Sequence, residues 1–227
     1  GGDSNSLIFI EGKNIYTDAN KETINNEVKK IMVHFKNEVN TYNRLPEDFI
    51  IVTPFTRYNP LVDALLLYIE KFWKKKMTNK YLKSISNSKW LKILEDEKFI
   101  RFAVFHKSEI GSSIDLDESK NSTRIVSIHS AKGDGRNVEF LIGLNENKIK
   151  KFSGKKDNLI YDSLIHVAVT RMKEKLYIYY ENNNDDISQK INKYKINSNI
   201  EDNNIPNIQI YNNLKYDDII NMNLNNN

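Results

Sequence analysis

Short apolar runs bounded by polar turns recur along the chain, and stretches of helical spacing separate them. Ser6-Leu7-Ile8-Phe9-Ile10 and Phe49-Ile50-Ile51-Val52 are such runs. Continuous apolar strands of this kind suit a parallel sheet covered on both faces. Phe99 to Phe105, Arg124 to Ile128, Val138 to Gly143 and Lys175 to Tyr180 predict further strands. Glu22 to Asn37 has Ile24, Val28, Ile31, Met32 and Phe35 on one helical face, with Thr23 as a candidate cap. Pro60 suits a first helical turn and opens the stripe Leu61, Ala64, Leu65, Tyr68, Ile69 and Phe72. Lys74 to Glu97 predicts one or two more helices, and Leu159 to Thr170 another. Leu45 to Asp48 reads as a turn and Lys107 to Ser122 as a polar loop. Strands alternating with helices predict an α/β fold on a parallel sheet.

Composition narrows the classes. The 227 residues suffice for one large domain or two small ones. No apolar run reaches the roughly eighteen residues of a membrane span, and no signal-peptide pattern opens the chain. With no cysteine there is no disulfide or thiolate metal site. His34, His106, His129 and His166 lack metal-ligand spacing, so no metal site is expected. These features suit an intracellular protein, cytoplasmic or nuclear. The net charge of +4 mildly favours an anionic partner. The Asn, Lys and Ile bias fits an AT-rich genome, such as that of a large DNA virus, and makes Lys counts a poor guide to function.

Two blocks carry candidate chemistry. The first, Ser127-Ile128-His129-Ser130-Ala131-Lys132-Gly133, ends a predicted strand in a polar turn. Backbone N–H groups, a hydroxyl and an ammonium at a strand's carboxyl end can hold phosphate. Ligands gather at that edge in doubly wound sheets. The second block is Val167-Ala168-Val169-Thr170-Arg171-Met172-Lys173-Glu174-Lys175-Leu176. Its Arg171 offers a planar, permanently charged fork suited to phosphate oxygens. Lys74 to Lys76 and Lys148 to Lys156 are solvated surface or phosphate contacts. Trp73 and Trp90 are core residues or base-stacking platforms.

In order and spacing, the two blocks resemble the late motifs of superfamily 1 helicases of the UvrD/Rep type. The resemblance implies a RecA-like (P-loop NTPase-type) parallel sheet flanked by helices. It implies an arginine finger at Arg171, and nucleotide binding and coupling at Lys132, Gly133 and Thr170. The family's Leu-Glu-Phe continuation is replaced by Asp134-Gly135-Arg136. Its ribose-contacting Glu falls on Gly135, so Asp134 or Arg136 takes that role. Tyr161-Asp162-Ser163 stands where the family has a charged run, and His166 where it commonly has Tyr. Pro46 to Phe55 resembles the strand that opens this domain, which makes Thr53, Thr56 and Arg57 candidate DNA contacts beside His129 and Ser130. Ile24-Asn25-Asn26-Glu27 falls where the family often has Asn-Glu before a helix, with Asn26 as an alternative helix cap.

A complete motor also needs a Walker A loop, Gly-x-x-x-x-Gly-Lys-Ser/Thr. None of the eight glycines has that spacing. Gly154-Lys155-Lys156 lacks the upstream Gly and the hydroxyl, and Asp117-Glu118 lies in a polar loop. The first motor domain, with most contacts to ATP and Mg2+, is therefore expected N-terminal to this chain in a longer parent. Residues 1–5 read as a cloning scar or linker and 6–181 as the second RecA-like domain, with a reduced helical insertion at 60–122. Residues 182–227 read as an Asn-rich, partly disordered extension. By resemblance the parent is an ATP-dependent DNA helicase or translocase on single-stranded DNA, and the chain alone is inactive. Two rivals stand beside this reading: a RecA-like binding or interaction module without catalysis, and an RNA helicase of the same superfamily, because phosphate contacts do not read the sugar.

Overall fold

The computed structural model describes residues 6–13, 20–81, 101–107, 115–128, 130, 135–146, 173–185, 187–193 and 208–211. The strands are β1 (Ser6–Glu11), β2 (Phe49–Thr53), β3 (Ala103–Phe105), β4 (Thr123–Ser127), β5 (Val138–Leu144), β6 (Lys175–Tyr180) and β7 (Ile208–Tyr211). They form one sheet in the order β3-β4-β2-β5-β6-β1-β7. Every pair in it is parallel. All strands therefore begin at one edge and end at the other. In the central strands β2, β4 and β5 every residue is buried, as parallel strands covered on both faces are; Thr123, Arg124, Ser127 and Glu139 are buried there among the apolar residues.

Side chains alternate between two cores with the period of two that a strand imposes. Ile8, Ile10, Ile51, Phe140, Tyr177 and Tyr179 face the helices α1 (Lys21–Tyr42) and α2 (Pro60–Tyr81). Phe9, Ile50, Val52, Leu141, Ile178 and Tyr180 face the opposite way, with Ile187 and Ile191 from the helical residues 187–193. The result is the RecA-like α/β arrangement expected from the sequence.

Helix α1 runs longer than the apolar spacing predicts, because Glu38 and Val39 continue its buried face. It stops at Asn43, which takes the left-handed conformation at φ 53° that ends many helices. Its cap is Asn20, whose side chain accepts from the Thr23 N–H at 2.8 Å. Thr23 is thus the capped residue, and Asn25-Asn26-Glu27 lies inside the helix instead of before it.

Two buried carboxylates tie α1 to β6. Glu38 accepts from Lys175 Nζ at 2.7 Å and from the Tyr177 hydroxyl at 2.5 Å, with Arg44 at 3.5 Å. Arg44 also pairs with Glu174. Glu27 accepts from the Tyr179 hydroxyl and from the Lys13 N–H. Burial, then the charge of Glu27, pushes the Tyr179 phenol far above its ordinary pKa. Gly12 lets that ring pass: a Cβ there would sit 2.3 Å from Tyr179. The Glu174 and Lys175 of the second block therefore act as structural anchors.

Two expected boundaries change. Residues 60–122 were expected as a reduced insertion, yet α2 buries Leu61, Val62, Leu65, Ile69 and Trp73 in the main core, and β3 extends the sheet. A helix that covers a parallel sheet belongs to the domain itself. Trp73 is a core residue: it packs against Phe35, Phe49 and Phe72 and donates to Thr123 Oγ1 at 3.0 Å. The sheet also continues past residue 181, because Ile208–Tyr211 pairs with β1. Trp90 and the predicted helix Leu159 to Thr170 lie outside the described residues.

Candidate nucleotide and nucleic-acid edge

The carboxyl edge of the sheet is built by two adjacent turns. Strands β2 and β4 stay in register to their last residues, Thr53 opposite Ser127. The Ile128 N–H then donates to the Thr53 carbonyl at 3.0 Å. The two exits therefore leave the sheet side by side.

The turn after β4 is organised by Ser127. Its hydroxyl lies 2.8 Å from Ser130 Oγ, and the Ser130 N–H donates to the Ser127 carbonyl at 3.1 Å. Ser130 is half-buried at this edge. Its neighbours in the motif, His129, Lys132, Gly133 and Asp134, lie outside the described residues, as do Thr170 and Arg171.

The turn after β2 is organised by Asn59. Its Nδ2 donates to Thr53 Oγ1 and to the Phe55 carbonyl, both at 3.1 Å. Its Oδ1 accepts from the Val62 N–H at 3.3 Å, which caps α2 just before Pro60. Thr53 is fully buried, and its hydroxyl donates to the Phe55 carbonyl at 3.2 Å. Thr53 thus supports the turn from inside. Thr56 is buried as well, while Arg57 and Tyr58 are exposed between it and the buried Asn59. Among the three candidate contacts here, Arg57 alone reaches solvent. The sequence reading missed Asn59; an Asn directly before Pro at a helix start is the signal that could have found it.

Arg136 sits at the opposite edge. Parallel strands oblige the chain after β4 to return to the amino edge before β5 starts at Val138. Arg136 is buried there and donates to the carbonyls of Ser119 (2.9 Å), Phe49 (3.2 Å) and Ser122. Near it Arg124 donates to Ser119 Oγ at 2.6 Å and to the Leu116 carbonyl at 2.7 Å. Burial, then the charge of Arg136, lowers the pKa of Arg124 to about 10. Burial lowers Arg136 to about 10 as well, against Glu47 and Asp48. Both stay charged at neutral pH. They line a polar cleft of about 280 Å³ with Glu47, Asp48, Lys120 and Lys173. The proposed ribose contact by Arg136 is corrected accordingly: the guanidinium staples the starts of three strands. Arg136→Met should cost about 2–4 kcal/mol of stability in urea denaturation, because it leaves buried carbonyls without donors. An unchanged stability with weakened nucleotide binding would restore the nucleotide role.

The basic run on α2 is a solvated helix face. Lys74 lies 3.5 Å from Glu70, and Lys76 donates to Asn40 at 3.1 Å. Among the described residues no group of His, Asp or Glu could hold a metal ion, and no helix is long and apolar enough to cross a membrane.

Comparison with known families bears on this edge. Residues 75–183 match the model of the UvrD-like helicase C-terminal domain. Over those residues the chain is similar to a UvrD-like helicase C-terminal domain. That match spans the β4 turn and the Arg171 block and runs through β6. It begins within α2, so residues 75–81 of that helix belong to the matched domain too. No curated protein matches the chain. The crystal structure of the C-terminal part of the Fun30 ATPase domain is similar, with a TM-score of 0.33 and 14% identity, over 78% of this chain and 48% of that one. The chain thus spans about half the length of that structure.

Proposed function

We propose that this UvrD-like domain is the second motor domain of an ATP-dependent DNA helicase or translocase, supplying an arginine finger and part of a single-stranded DNA track. The observation that carries the reading is the pair of adjacent strand exits at the carboxyl edge, one of which leads into the His129-to-Gly133 motif. In this reading ATP and Mg2+ bind between two motor domains, mainly on the first. Arg171 reaches across to the γ-phosphate. Lys132, with Gly133, Asp134 and Thr170, senses domain closure. His129 and Ser130 pass that closure to the DNA, which Arg57 also holds through phosphate. The stiffness of the coupling is supported by the Ser127–Ser130 hydrogen bond and by the Ile128–Thr53 link between the turns. Each closure and reopening then steps the strand.

The chain by itself should bind single-stranded DNA with an affinity that falls as salt rises, since phosphate contacts release counterions. It should hydrolyse no ATP, because it has no Walker A loop of its own. Filter binding across a salt series, with a parallel phosphate-release assay, tests both. Salt-independent binding, or hydrolysis by the chain alone, would contradict the reading.

A further inference from the structure

We propose that Tyr58 is a base-stacking platform for single-stranded nucleic acid at the carboxyl edge, an inference that rests on the track reading above. Large aromatic side chains usually bury their rings. Tyr58 is 87% exposed, so the faces of its ring are open to solvent. It also holds φ at 51°. A bulky residue rarely adopts this left-handed conformation, and such strain costs on the order of 1–3 kcal/mol and clusters at binding sites. Gly, Asn or Asp would satisfy the turn more cheaply.

The turn is not a loose loop. Buried Thr56 and Asn59 flank the exposed pair Arg57-Tyr58. Asn59 is held from three directions by Thr53, Phe55 and Val62. The strained residue is therefore set by its surroundings, and its ring is presented at low further entropy cost. The turn leaves β2 beside the Ser127–Ser130 turn, where the track is proposed. A cation next to an open aromatic ring combines the two elements that bind single strands without sequence preference, a phosphate contact and a π-face. Arg57 supplies the first and Tyr58 the second.

The test is fluorescence anisotropy of the full-length protein with a labelled oligothymidylate and with an abasic strand of the same length. Tyr58→Ala is expected to weaken oligothymidylate binding about 5- to 150-fold and to leave abasic binding unchanged. Tyr58→Phe should bind as wild type does. Arg57→Ala should weaken both strands alike. Because the position is exposed, Tyr58→Ala should fold as wild type does, and a thermal melt checks it. Wild-type affinity in Tyr58→Ala, with Arg57→Ala weakened, would overturn the stacking role and keep the track. Equal loss on both strands would also overturn stacking. A wild-type protein that binds neither strand would overturn the track and the platform together.

Discussion

In a protein that carries both motor domains, Arg171→Ala is expected to lower DNA-stimulated ATP turnover by about 10³- to 10⁵-fold. That range corresponds to roughly 4–7 kcal/mol of transition-state stabilisation. The loss is large because phosphoryl transfer leaves the protein little to do except position groups and neutralise developing charge. A guanidinium does both at once, with a planar fork that an ammonium cannot copy. Arg171→Lys should therefore recover only a small part of the rate. Binding of single-stranded DNA should persist in both variants, since the finger acts on nucleotide and not on the track. Steady-state turnover with and without DNA, beside a binding titration, reads these effects. A nearly normal rate in Arg171→Ala would remove the finger and the domain pairing built on it.

The second large effect is on folding. Trp73→Ala is expected to destabilise the domain by about 3–5 kcal/mol, a fall in melting temperature of roughly 6–20 °C at this chain length. Trp73 is fully buried, and its ring touches Phe35, Phe49 and Phe72. The change would open a cavity where α1, α2 and β2 meet. It would also remove the donor to Thr123 Oγ1, a hydroxyl that itself donates to the Pro46 carbonyl at 3.0 Å. Leu67→Ala on the same helix is the control: Leu67 is 71% exposed, so its loss should cost within about 0.5 kcal/mol. Trp73→Ala and Leu67→Ala variants with equal stability would contradict the core assignment.

The strands were legible in the sequence because uninterrupted apolar runs have few other solutions in a parallel sheet. Phe49 to Val52 and Lys175 to Tyr180 mark their strands within a residue at each end. The alternation between two cores then follows from the pleat. Other features were hidden by distance along the chain. Nothing local distinguishes α2 from an inserted helix; only its burial against β2 and β4 does. The strand Ile208–Tyr211 is short and surrounded by Asn, and it acquires its role from pairing with β1. Thr23 looked like a cap because threonine often is one, but Asn20 stood one turn earlier.

The candidate site was legible as a motif and less so as geometry. Counting along the first block puts Arg136 beside the nucleotide. The topology puts it at the other edge, because the chain must cross back before β5. Thr53 has the right chemistry for a phosphate contact, but its hydroxyl is consumed inside the turn by Asn59 and Phe55. The neighbouring Arg57 is the residue left facing solvent.

The most direct test of the motor reading is ATP turnover by the two-domain protein, measured with and without single-stranded DNA. The account predicts that turnover requires both domains and rises when the strand is added. Tight binding of the strand with no turnover in either condition would contradict it and leave a nucleic-acid binding module in its place.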